Sequence, residues 1–149
     1  MELIELTPLP LSAAMQDYLE EILNLSDRLE TVRVTDIAER LNLTKASVSQ
    51  ALCQLREQGL IIQERYGPVK LTERGLYYGR IVRRRHRVLS SFLTEVLALD
   101  FETAEKDACE MEHAVSSETI ERLVEFLIEG GYCSDFNDND GGAEPDIDR

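Results

Sequence analysis

Between Arg33 and Gly59 the chain reads RVTDIAERLNLTKASVSQALCQLREQG, two amphipathic segments separated by only two residues, Asn42 and Leu43. A joint this short makes two helices cross sharply, and few folds accept it. In the first segment Ile37, Ala38 and Leu41 recur at helical spacing; in the second, Val48, Leu52 and Leu55 do so. Thr35 is expected to cap the first helix and Thr44 the second, with Gly59 as the stop. Upstream, a helix is expected from the cap Ser12 to about Leu25, with Met15, Leu19, Ile22 and Leu23 on one face. Downstream, Leu60–Arg65, the turn Tyr66-Gly67-Pro68, and Val69–Leu71 read as strand, turn and strand. Three short helices followed by a hairpin make a winged helix-turn-helix.

The second half reads as helix throughout. Thr72 is expected to cap a long helix through about Leu97, followed by helices over Thr103–Val115 and Ser117–Glu129, with Ser116 capping the last. The fold class is therefore mainly α, a winged helix-turn-helix followed by an all-helical domain. From Gly130 the chain reads GGYCSDFNDNDGGAEPDIDR, rich in Asp, Asn and Gly with little to bury. That composition predicts a disordered acidic tail. It is not an EF-hand loop, because Asp140 and Asp146 stand where such a loop needs glycine and a bidentate glutamate. The expected organisation is an extended arm over 1–11, held by Pro8 and Pro10, then a DNA-binding domain over 12–75. A helical domain over 76–129 and the tail over 130–149 complete it.

A net charge of -13, if evenly spread, would argue against a nucleic-acid binder, but the charge is uneven. Residues 33–87 hold 12 basic and 5 acidic groups, while residues 88–149 hold 3 basic and 17 acidic. A basic segment that coincides with the helix-turn-helix points to a polyanion, double-stranded DNA. The second helix would present Thr44, Lys45, Ala46, Ser47 and Gln50 to the major groove. Their short side chains allow close approach, and Gln50 can pair with an adenine edge. Arg65, Tyr66 and Lys70 of the wing suit phosphate contacts. Three cysteines do not make a disulfide framework, no apolar run approaches the roughly 20 residues of a membrane span, and no export signal opens the chain. A cytoplasmic protein without membrane contact is the expectation.

A second constellation carries metal chemistry. DACEMEH places Cys109, Glu112 and His113 at i, i+3 and i+4, one face of a helix, with thiolate, carboxylate and imidazole donors. Asp17 and Glu20 share a face of the first helix, and His86 stands in the run Arg83–Arg87. The chain has two histidines, and both fall in this set. Taken residue by residue, an ordinary polar helix face and a packed core cysteine remain open alternatives.

The order winged helix-turn-helix, RRRHRVLSSFL, DACEMEHAVSSETIERL resembles the metal-dependent repressors of the diphtheria toxin repressor and manganese transport regulator group. The resemblance covers roughly residues 12–128 and includes LTERG after the wing. It implies a metal-binding and dimerisation domain with Asp17, Glu20, His86, Cys109, Glu112 and His113 as ligands. It further implies a homodimer on a palindromic operator, repressing metal-uptake genes when metal is plentiful. The manganese-type members usually carry Glu where this chain has Cys109; the iron-type members usually carry Met where it has Asp17. This mixture of thiolate and carboxylate points to Fe²⁺ or Mn²⁺, and Zn²⁺ also fits the donors. The stripe Ile120, Leu123, Val124 and Leu127 could serve the dimer or only the intrachain core. No nucleophile motif or Gly-rich phosphate loop marks an enzyme. The alternative function is a winged-helix regulator that senses oxidation through Cys109 beside His113, without metal.

Overall fold

Six α-helices and one two-stranded sheet account for the regular structure of a computed structural model that describes residues 10–133 and residue 136. Most of the expected arm and most of the expected tail lie outside the described residues. By their internal contacts the described residues fall into two units, one holding Ala13–Arg80 and the other Ile81 onward together with residues 10–12.

The first unit contains α1 (Ala13–Arg28), α2 (Val34–Leu41), α3 (Lys45–Glu57), β1 (Ile61–Gln63) and β2 (Val69–Leu71). It also holds the opening of α4 (Glu73–Ser91). Leu19, Ile22, Ile37, Val48, Leu52 and Leu55 are essentially inaccessible to solvent, as their helical spacing predicts. Helix α1 packs on α2 and β2, and α3 packs on α2 and β1. The two-residue joint works because Asn42 adopts the left-handed conformation (φ 56°), which asparagine tolerates better than most residues. Leu43 N–H then donates to the Ala38 carbonyl at 2.9 Å and closes the turn. The hairpin is antiparallel, with Ile61 opposite Leu71 and Gln63 opposite Val69. Val69 N–H also donates to the Val32 carbonyl at 2.7 Å, which ties β2 to the loop before α2.

One expected cap is replaced. Helix α2 begins at Val34, and its N-cap is Arg33, not Thr35. The cause is Asp36, whose carboxylate accepts the Arg33 N–H at 2.9 Å, the reciprocal half of a capping box. The expected caps Thr44, Thr72 and Ser116 hold. Thr44 accepts from the Ser47 N–H at 3.1 Å, and Thr72 accepts from the Gly75 N–H at 3.0 Å.

The second unit contains the rest of α4, a π-helical turn (Phe92–Val96), α5 (Phe101–Met111) and α6 (Ser117–Glu129). Its core joins Val88, Leu89, Leu93, Ala104 and Ala108 to Ile120, Val124 and Leu127. The α6 stripe is thus largely taken up within the chain, which leaves Phe126 half exposed. Phe136 belongs to the same core, although it falls in the stretch expected to be a disordered tail. Its carbonyl accepts from Arg84 Nε at 3.1 Å.

Three helix ends in this unit differ from expectation. The long helix does not continue unchanged to Leu97, because Thr94 Oγ1 donates to the Ser90 carbonyl at 3.0 Å. With that acceptor engaged, the main chain widens, and Leu97 N–H reaches Phe92 O at 3.3 Å, an i→i+5 bond. Helix α5 starts two residues before Thr103, because Asp100 accepts the Thr103 N–H at 3.2 Å and is the better cap. It also ends at Met111, before Glu112 and His113, rather than at Val115.

Candidate metal centre

Glu112 is the C-cap of α5 and keeps helical backbone angles, so its N–H still bonds to Ala108 O at 3.0 Å. Ala114 and Val115 both donate back to Met111 O, which turns the chain sharply toward α6. Arg85 of α4 holds this turn from the other side. It donates through Nη1 to the Glu112 carbonyl at 3.0 Å and through Nη2 to the Val115 carbonyl. Carbonyls at a helix end lack intrahelical partners, and a cation is their natural complement. Burial lowers the Arg85 pKa, and the adjacent Glu112 carboxylate acts in the opposite direction.

The turn sets Glu112 between His113 and His86, the latter one turn of α4 after Val82. The Glu112 side chain is fully buried. Its Oε2 lies 3.1 Å from His86 Nδ1, and its Oε1 lies 3.6 Å from His113 Nε2. Among the described residues Oε1 has no hydrogen-bond partner. A buried carboxylate oxygen left in this way is costly, and a cation beside it removes the cost. Imidazole nitrogen, carboxylate oxygen and thiolate sulfur are all ligands that first-row divalent ions accept. These residues therefore fit a divalent transition-metal ion. Cys109, exposed, lies one turn before Glu112 on α5.

The second ring nitrogen of His86 is also engaged. Nε2 lies 3.1 Å from Glu105 Oε2, which in turn accepts from Ser90 Oγ at 2.6 Å. Burial pushes the Glu105 carboxyl up, but the hydrogen bonds from Ser90 and His86 and the charge of His86 outweigh it. The group sits below its ordinary value. Glu105, Ser90 and Arg85 were missing from the expected set. The signal was present for two of them: Glu105 stands four residues before Cys109 and Ser90 four after His86, each on the same helix face.

Of the six expected ligands, His86, Cys109, Glu112 and His113 belong to the second unit. Asp17 and Glu20 lie on α1 of the first unit, three residues apart, Asp17 partly buried and Glu20 buried. In that first unit, Thr44, Lys45, Ala46, Ser47 and Gln50 are all exposed on the N-terminal half of α3, while Val48 between them is buried. Arg65, Tyr66 and Lys70 are exposed on the hairpin. Tyr66, at the tip, has positive φ (63°), is 87 % exposed, and has the Arg65 guanidinium over its ring at 5.3 Å.

A winged helix-turn-helix followed by a helical unit with clustered carboxylate and imidazole donors defines a class of metal-responsive DNA-binding regulator. Comparison with known proteins agrees. Residues 10–69 match the family described as iron dependent repressor, N-terminal DNA binding domain. Residues 72–137 match iron dependent repressor, metal binding and dimerisation domain. An uncharacterised HTH-type transcriptional regulator of Methanocaldococcus jannaschii is 34 % identical over 118 residues, covering 78 % of this chain and 94 % of that protein. The diphtheria toxin repressor of Corynebacterium diphtheriae is 32 % identical over 110 residues, covering 74 % of this chain and 49 % of the repressor. The structure of the manganese regulator SloR superposes with a TM-score of 0.70 at 29 % identity, covering 80 % of this chain and 54 % of SloR. The chain thus spans about half the length of the last two. It belongs to the iron-dependent repressor family, whose members are metal-dependent, DNA-binding transcriptional repressors.

Proposed function

We propose that this chain is a cytoplasmic repressor of metal-uptake genes with Fe²⁺ or Mn²⁺ as corepressor, acting as a homodimer on palindromic double-stranded DNA. The observation that carries the reading is Glu112, a fully buried carboxylate with one oxygen that lacks a hydrogen-bond partner among the described residues and an imidazole on either side. His86, Glu112, His113 and Cys109 would hold the ion, with Asp17 and Glu20 as the further donors in the proposed set. When bound, the cation supplies positive charge that relieves the mutual repulsion of the acidic donors. Glu112 and His113 fix the turn between α5 and α6, and His86 fixes that turn against α4 within the same unit. The N-terminal residues of α3 read bases through Ser47 and Gln50, and Arg65 and Lys70 hold phosphates. Two copies are needed because one recognition helix reads only a few base pairs. No helix among the described residues is long and apolar enough to cross a membrane.

The test is a DNA titration with a palindromic operator, with Mn²⁺ or Fe²⁺ and then with chelator. Metal is expected to tighten binding by at least tenfold, and by linkage DNA tightens metal binding by the same factor. Equal affinity in both conditions sinks the corepressor reading.

A further inference from the structure

The imidazole of His86 lies between two carboxylates that are not equivalent. Nδ1 faces Glu112 Oε2 and Nε2 faces Glu105 Oε2, each at 3.1 Å. Turning the ring over would set carbon atoms before both oxygens, so the two contacts together fix its orientation. Glu112 is fully buried and has an oxygen without a hydrogen-bond partner among the described residues. Glu105 is 37 % exposed, and the oxygen that meets His86 also accepts the Ser90 hydroxyl at 2.6 Å. A histidine that binds a metal through one nitrogen carries a proton on the other, and an acceptor for that proton sets the tautomer and the ring angle. Only one of the two carboxylates is arranged for that work. The Glu105 oxygen is held by Ser90 on one side and points at a ring nitrogen on the other, whereas Glu112 keeps an oxygen to offer to a cation.

We infer that Glu105, itself held by Ser90, is a positioning residue that keeps the proton on His86 Nε2 and so presents the Nδ1 lone pair on the Glu112 side. The inference rests on the metal reading above and adds an outer carboxylate to it. With an ion bound, Glu105 would hold the ring through Nε2 and would not itself be a ligand. Ser90 and Glu105 come from two different helices, α4 and α5, so the arrangement also locks the ring to the packing of that pair.

The experiment uses Zn²⁺ as a diamagnetic probe on the full chain, with affinity measured by chelator competition for wild type, Glu105→Gln, Glu105→Ala and Ser90→Ala. Long-range ¹⁵N–¹H spectra of histidine-labelled protein read the state of each ring nitrogen. In Zn²⁺-loaded wild type, Nε2 of His86 is expected to be protonated and Nδ1 metal-bound. Glu105→Gln keeps an acceptor oxygen and is expected to stay within about threefold of wild type. Glu105→Ala is expected to lose about 10- to 100-fold in affinity, with faster exchange of the Nε2 proton. Ser90→Ala should lose less in the same direction. Unchanged affinity and unchanged Nε2 signal in Glu105→Ala overturn the inference alone. Equal damage from Gln and Ala overturns it too, because it makes Glu105 a ligand. Failure of the wild type to bind Zn²⁺, Mn²⁺ or Fe²⁺ overturns the metal reading and this inference together.

Discussion

Arg85 donates to the main-chain carbonyl of Glu112 at 3.0 Å, so a buried guanidinium grips the backbone of the residue whose carboxylate faces His86. Replacing Arg85 with alanine leaves the Glu112 and Val115 carbonyls without this donor at a buried helix end. Hydrogen bonds from a charged group contribute about 1.5–3 kcal/mol each, and an unsatisfied buried acceptor adds to the loss. Urea unfolding of the metal-free protein should show Arg85→Ala less stable by roughly 2–3 kcal/mol. Arg85→Lys should recover only part, because an ammonium cannot span two carbonyls as a planar fork does. Equal stability of wild type and Arg85→Ala would show that the turn needs no such clamp.

Gly75 meets the Leu60 carbonyl where α4 starts. A Cβ built there would lie 1.9 Å from that oxygen, with the Leu60 carbonyl carbon at 3.0 Å. Neither is the end of a flexible side chain, so the backbone would have to move. Gly75→Ala is expected to cost about 1–3 kcal/mol, as overpacked sites do. Gly59→Ala meets no neighbour, yet it also strains the chain because φ is +73° there. Its cost should be nearer about 1–2 kcal/mol. Denaturation midpoints of the two variants check the ranking.

The elements built on strong local signals are legible in the sequence. Val48, Leu52 and Leu55 give α3 its inner face, Thr44 its cap, and Ser116 the start of α6. The hairpin itself is legible, but its first strand ends at Gln63 rather than Arg65, so Glu64–Pro68 form the connection and Gln63 stands opposite Val69. What escapes is decided by competition between side chains and backbone. Asp36 takes the α2 cap from Thr35, Asp100 takes over the start of α5 ahead of Thr103, and Thr94 widens the end of α4. Periodicity cannot rank such rivals. The proposed metal donors could be named by type, since both histidines lie in the set. That Glu112 and His113 stand on a turn held by Arg85 depends on a contact 27 residues away, which no local pattern records.

Asp100 gives stability a pH dependence with a definite sign. The Thr103 side-chain hydrogen bond and then the Thr103 backbone N–H hold its carboxyl below the ordinary value, and slight desolvation opposes them. A folded pKa below the unfolded one means the contribution is fully present above the unfolded value, about 3.9. It fades as the pH falls through the folded value. Asp100→Ala should therefore melt lower than wild type at neutral pH, and the gap should close in strong acid. A gap of constant size from about pH 7 to about pH 2 would assign the effect to something other than the ionised cap.

DNA contacts should separate into two kinds. Lys70 is exposed on β2 and is proposed to meet phosphate. Lys70→Ala is expected to weaken binding about equally for all sequences and to reduce the salt slope of log K by about 1. Gln50 is proposed to meet a base edge. Gln50→Ala should leave the salt slope unchanged and lose about 1–3 kcal/mol of preference for the operator over a variant site. Salt titrations on two duplexes distinguish these outcomes. If Gln50→Ala lowers the affinity for both duplexes equally, its proposed role in reading bases fails.

Glu112 separates the stability of the fold from its response to metal. Glu112→Gln keeps shape and removes the charge from a fully buried position. In the metal-free protein the net change should be small, because it lifts the cost of burying a carboxylate while taking a counter-charge from the buried Arg85. The response to metal should behave oppositely. A ligand that binds only the folded state stabilises it by about 2.7 kcal/mol when free ligand is about 100 times Kd, and a neutral amide in place of the central carboxylate should remove most of that gain. Melting each protein in chelator and in excess Mn²⁺ gives both numbers at once. Wild type should rise by several degrees with Mn²⁺ and Glu112→Gln by little. A variant that keeps the full Mn²⁺ shift would remove Glu112 from the ligand set and leave its buried oxygen, which lacks a hydrogen bond among the described residues, to be explained by packing alone.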